Sequence, residues 1–224
     1  MNTINIAIDG PAGAGKSTIA RRAAQILGYI YVDTGALYRA VALYVKENNI
    51  ADENISEALS GADVSIRHID GSQRVFLGNR DVSELIRTPE ISMEASRTSS
   101  IPAVREYLFE TQRKIAHENN VIMDGRDIGT VVLPEADVKI FLTATAEERA
   151  SRRYRELAEK SDCPSYDEVL RDIVERDHND MNRKTSPLKQ ADDAVLMDTT
   201  GLKLEESAEK IIEIIRKKLT GVVG

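Results

Sequence analysis

Gly10-Pro11-Ala12-Gly13-Ala14-Gly15-Lys16-Ser17 starts two residues after an apolar run at positions 4–8 and passes, from Thr18, into a helical pattern that reaches position 27. The spacing is G-x-x-x-x-G-K-S, set between a strand and a helix. Glycines there let the backbone turn tightly and aim several N–H groups inward, where they and the helix N-terminus can cradle phosphate oxygens. In such a loop Lys16 reaches the β- and γ-phosphates and Ser17 holds Mg2+. The plain alternative is a Gly-rich turn capping an ordinary helix. Chance would supply the four fixed positions in roughly one chain in a hundred of this length, before a flanking strand and helix are required. The stretch therefore reads as a phosphate-binding loop.

Around it, 224 residues are enough for one full core with room for an inserted lobe. A net charge of −7 without a basic tail argues against a nucleic-acid or membrane surface, so any anion site must be a local arginine cluster. Cys163 stands alone between Asp162 and Pro164, cannot form an intrachain disulfide, and reads as incidental. Asp9 interrupts the first apolar segment and no apolar run reaches 18 residues, so we expect a cytoplasmic protein.

The chain then alternates. A β-branched and aromatic run at 29–32 ends at Asp33 and is followed by a helical pattern at 36–47, completing an α/β unit with parallel strands. Right-handed crossovers would put ligands at the carboxyl ends of those strands, where Asp9 and Asp33 lie. Alternating segments at 64–69 and 74–77 around Asp70-Gly71 predict a hairpin, best explained as an insertion. Helical segments follow Thr88-Pro89 and Ile101-Pro102, the second running to about 118. Buried strands are predicted at 121–123 and 138–142, two charged helices between 145 and 183 separated by Ser161-Asp162-Cys163-Pro164, a last strand at 194–197, and an amphipathic helix at 204–219.

Two of these helical stretches carry patterned arginines. Arg149, Arg152 and Arg153 fall at i, i+3, i+4, and Arg176, Asp180 and Arg183 at i, i+4, i+7, so each set shares one helix face. A solvated face of intrahelical ion pairs would look the same. A phosphate-binding loop, however, calls for cationic groups that cover the transferring phosphoryl and exclude water, which favours a lid. Asp124, ending an apolar strand, is the type of carboxylate that holds Mg2+ opposite Ser17, directly or through water. The three histidines, His68, His117 and His178, have no metal-site spacing. There is no evident base–nucleophile pair, and an acceptor that is itself a phosphate would need none, because its second pKa is about 6.

Laid out in this way, the sequence resembles the bacterial cytidylate kinases of the nucleoside monophosphate kinase group over nearly its whole length. The resemblance rests on the loop, on Asp33-Thr34-Gly35-Ala36-Leu37-Tyr38-Arg39, on Asp124-Gly125-Arg126-Asp127-Ile128-Gly129-Thr130, and on the two arginine stretches, 147–154 and 175–183. It implies an α/β P-loop core with a five-stranded parallel sheet flanked by helices. A nucleoside-monophosphate lobe with a small antiparallel sheet, at about 34–108, and a helical lid, at about 147–183, would sit within one domain. It further implies that residues 10–18 with Arg149, Arg152 and Arg153 hold ATP. Thr34, Arg39 and Arg126 would hold the acceptor nucleotide; Ser96, Arg105 and Asp127 would face cytosine; Arg176, Asp180 and Arg183 would lie near its sugar and phosphates. Lys16, Arg39, Arg126 and Arg183 become the catalytic cations. ATP, CMP or dCMP, and Mg2+ are the expected ligands of a monomeric chain. Only the base-facing residues separate this reading from a kinase for UMP or another small acceptor. A GTP-dependent switch lacks support because no N-K-x-D string occurs, and an inert ATP-binding regulator because Lys16 and the arginines are all present.

Overall fold

The computed structural model describes residues 3–69, 71–158 and 164–221. The expected turn position Asp70 and, of the expected break between the two charged helices, residues 161–163 with Cys163 lie outside the described residues. The chain forms two compact units, one made of Met1–Tyr31 with Asn119–Gly224, the other of Val32–Glu118.

A five-stranded sheet, in the first unit except for the last two residues of β2, consists of β1 (Asn5–Asp9), β2 (Ile30–Asp33), β6 (Val121–Gly125), β7 (Val138–Thr143) and β8 (Val195–Asp198), in the order β2-β6-β1-β7-β8. Strand β1 runs parallel to β6 and β7, and β7 parallel to β8. Ile6, Ile8, Ile122, Ile140 and Leu142 are almost wholly buried, and helices α1 (Lys16–Leu27) and α8 (Leu204–Thr220) cover them with Ile19, Ala20, Ala23, Ile211 and Ile215. Continuous apolar strands suit a sheet packed on both faces. The register opposes Ile8 to Asp124 and Asp9 to Gly125, so both carboxylates reach the carboxyl ends of adjacent central strands. Helices α6 (Ala146–Ala158) and α7 (Tyr166–Asn182) pack through Ala150, Val169 and Ile173, with Tyr154 edge-on to Tyr166. Ser165 and Glu168 form a reciprocal cap that starts α7.

The second unit has its own core. Helices α2 (Thr34–Glu47), α3 (Ile55–Ala58), α4 (Pro89–Thr98) and α5 (Pro102–Glu118) enclose Leu37, Val41, Ile55, Ile86, Val104 and Leu108. The predicted hairpin is present as β3 (Val64–Ile69) and β4 (Ser72–Leu77), antiparallel, and Gly71 turns it with φ of 72°. A short β5 (Arg80–Asp81), which the alternation did not signal, makes the sheet three-stranded. Among the described residues, no helix is long and apolar enough to cross a membrane.

Candidate active site

The loop after β1 demands glycine by sterics. Gly10 has φ of 149°, and a Cβ there would stand 1.9 Å from the Leu142 carbonyl oxygen. Gly15, at φ of 87°, is the N-cap of α1 and brings no side chain to the helix start, so the N-terminal dipole faces the loop uncapped. Lys16 is buried within the turn and donates to the Pro11 carbonyl at 2.8 Å. Burial and the Arg126 guanidinium push its ammonium down to about 7, against the pull of Asp124, Asp9 and Asp180. A bound phosphate would add a further anion and favour the charged ammonium.

Ser17 and Asp124 meet, the hydroxyl donating to Oδ2 at 2.8 Å, and the Tyr31 hydroxyl donates to Oδ1 at 3.0 Å. Two oxygen donors, one of them a carboxylate, fit Mg2+, which binds through few protein ligands and keeps waters and substrate phosphates for the rest. No cluster of three acidic, histidine or cysteine side chains that could hold a metal by itself occurs among the described residues.

A second group of charges is centred on Asp180, one face of α7. Arg126 Nε donates to its Oδ2 at 2.8 Å, and Arg183 lies 4.0 Å from Oδ1 and 3.6 Å from Asp127 Oδ1. Burial works against the Asp180 anion, yet Arg126, Arg176 and Arg183 outweigh it and hold the carboxyl below its usual range. Lys16 also feels Arg126 and Asp180, so loop and net form one electrostatic system. Asp127 is buried at the start of a π-helical turn, Ile128–Val132.

The first arginine set does not act as one face. Arg149 is buried and forks onto Asp177 at 2.6 and 3.1 Å while donating to the loop carbonyl of Ala12 and to Ala144. Arg152 pairs with Glu148 and clasps Thr199 through its hydroxyl and its carbonyl, with one nitrogen within 3.9 Å of where a Gly15 Cβ would be. Arg153 instead turns to the exposed side and pairs with Glu156. Residues three apart bracket the packed stripe here, and the fourth-position arginine falls beyond its edge. Arg149→Ala should therefore cost about 2 kcal/mol in denaturant unfolding by emptying a buried site and leaving half-buried Asp177 without its partner, whereas Arg153→Ala should stay within about 0.5 kcal/mol.

In the second unit, Thr34 is buried at the first turn of α2, which Asp33 caps by accepting the Ala36 amide. Arg39 lies one turn on, 4.0 Å from Asp33. Arg105 is buried on α5, stacks over the Tyr38 ring and donates to the Ser99 carbonyl at 3.4 Å. Ser96, half-buried on α4, offers its carbonyl to the Ser99 hydroxyl.

The family model described as cytidylate kinase matches residues 6–217. A cytidylate kinase of Carboxydothermus hydrogenoformans is 56% identical over 218 residues, covering 96% of this chain and 98% of that one. One from Caldicellulosiruptor bescii is 54% identical over 220 residues, covering 97% of each. The chain belongs to the cytidylate kinase family. A solved structure of an uncharacterized protein from Eubacterium ventriosum, 12% identical, overlays with a TM-score of 0.57 across 96% of this chain and 99% of that one, a likeness of fold alone.

Within this cytidylate kinase-family chain, four contacts around the candidate site escaped the sequence patterns. Asp177 and Thr199 anchor Arg149 and Arg152, Tyr31 orients Asp124, and Asp9 accepts the Ile128 and Gly129 amides. Each acts across tens of residues, where periodicity is blind; only the polar ending of each apolar strand hinted at Asp9. Tyr31→Phe keeps the ring and removes one donor to Asp124, and should raise the Mg2+ concentration for half-maximal activity by about tenfold. A Mg2+ titration of ADP release measures it.

Proposed function

We propose that the chain transfers the γ-phosphoryl group of ATP to the phosphate of CMP or dCMP, giving ADP and CDP or dCDP. The observation that carries this reading is the joining, in one unit of a cytidylate kinase-family chain, of the Lys16 loop to the ionic net of Arg126, Asp180, Arg183 and Asp127. The loop amides and Lys16 neutralise the donor phosphates, with Arg152 and Arg149 bordering the loop. Arg126 and Arg183 take the acceptor phosphate with Arg176 beside them, and Asp180 orients these arginines. An acceptor oxygen attacks the γ-phosphorus in line as the bond to the bridging oxygen breaks, and the electron pair leaves on ADP. The acceptor is mostly dianionic at neutral pH, so no general base is required. Ser17 and Asp124 would hold Mg2+, which when bound supplies charge neutralisation between the phosphates.

Asp127 reads the base. Its carboxylate accepts from the cytosine amino group, whereas uracil would oppose an oxygen to it. In the second unit Thr34, Arg39, Ser96 and Arg105 keep the acceptor-nucleotide roles that family resemblance gives them; burial of Thr34 and Arg105 supports fixed side chains. The reading extends to a cytoplasmic enzyme, supported by ordinary composition and a single cysteine, and to a monomer, which light scattering checks. Incubation with ATP, Mg2+ and CMP should yield ADP and CDP in equal amounts and stop on chelation of the metal. ADP without CDP would reduce the activity to hydrolysis and defeat the proposal.

A further inference from the structure

The turn that carries Asp127 is held in an unusual way. Ile128–Val132 is a π-helical turn, closed by the Leu133 amide on the Ile128 carbonyl at 2.7 Å. Wide turns of this kind are rare and are frequent at functional sites. Its N-cap residue is Asp127, and an aspartate in that position ordinarily caps its own helix. Here the Asp127 side chain makes no capping bond. Asp9, at the end of β1 and directly before the phosphate loop, does so from another strand. Its Oδ1 accepts the Ile128 amide at 2.8 Å and its Oδ2 the Gly129 amide at 2.7 Å. Both bonds are buried, and the two amides are the pair immediately following Asp127.

We propose that Asp9 is a positioning residue for acceptor-base recognition, capping the Ile128–Val132 turn in place of Asp127 so that the Asp127 carboxylate is aimed at the base. The inference rests on the reading of Asp127 as the base-facing group. Without the cap, two buried N–H groups lose a charged acceptor, and the backbone carrying Asp127 must rearrange to satisfy them. Gly129 makes the close approach possible, since a Cβ there would press on Lys139 at 3.2 Å and on Asp9 Oδ2 at 3.4 Å. The same strand ends in the phosphate loop one residue later, so a single carboxylate ties the donor loop to the acceptor-reading turn.

Asp9→Asn is the test, because it keeps the shape and one accepting oxygen while setting an NH2 against the other amide. Kinetics with CMP and UMP should show the CMP/UMP ratio of kcat/KM narrowing by about tenfold, mainly through a higher KM for CMP, with ATP affinity changed less than about threefold. Amide exchange at Ile128 and Gly129 should quicken in the same sample. Should Asp9→Asn not fold, Asp9→Ser, which can accept one amide, gives the same readings. An unchanged ratio, or equal losses for CMP, UMP and ATP, would overturn the proposal and leave a packing role. Asp127→Asn in the same assay separates the two layers: a ratio altered by Asp127→Asn but not at Asp9 defeats this inference alone. A ratio altered by neither defeats the reading of Asp127 itself.

Discussion

Lys16→Ala is expected to lose about a thousandfold or more in kcat with the fold intact. The lysine sits inside the loop with its ammonium on the Pro11 carbonyl, where it can move onto the donor phosphates with little reorganisation. Arg149 and Arg152 border the loop but are held by Asp177, Glu148 and Thr199, so neither replaces the lost charge without giving up those partners. Stability should not fall with activity. Lys16 has a folded pKa, about 7, below its ordinary 10.5, so the native state binds fewer protons between those values. Its contribution to stability thus rises with pH across that window and is least below pH 7. Thermal melts at pH 6.5 should place the variant level with the parent or above it. A variant that keeps most of its kcat would contradict the assignment of the loop.

The second large effect is on identity. Asp127→Asn should narrow the CMP/UMP ratio of kcat/KM by about a hundredfold, losing for CMP and gaining for UMP. A carboxylate can only accept, so it suits the cytosine amino group and opposes the uracil oxygen; an amide can turn its NH2 to uracil. Arg183 keeps Asp180 and the Ser186 carbonyl as neighbours, so the substitution does not strip it of all support. Steady-state kinetics with both nucleotides give the ratio directly.

How far these residues could be seen beforehand depended on the range of the interaction that places them. The loop, the parallel strands and the hairpin declare themselves locally, through glycine spacing, unbroken apolar runs and alternation around Gly71. The carboxyl ends of the strands likewise announced Asp9 and Asp124 as polar residues closing apolar segments. The π turn at Ile128–Val132 has no periodic signature, because its stability comes from Asp9, more than a hundred residues away in the chain. Arginine spacing at i, i+3, i+4 marked a helix face but could not tell which edge of it the packing would cover, so Arg153 emerged outside. Tyr31 looked like strand filling, since its ring is core and only its hydroxyl reaches Asp124.

The central claim is the acceptor. ADP release at equal, subsaturating concentrations of CMP, dCMP, UMP and AMP, with ATP and Mg2+ held constant, tests it most directly. The account predicts the highest kcat/KM for CMP or dCMP, with UMP well below and AMP lowest. A chain that phosphorylates UMP or AMP as readily as CMP, or none of the four, would contradict it.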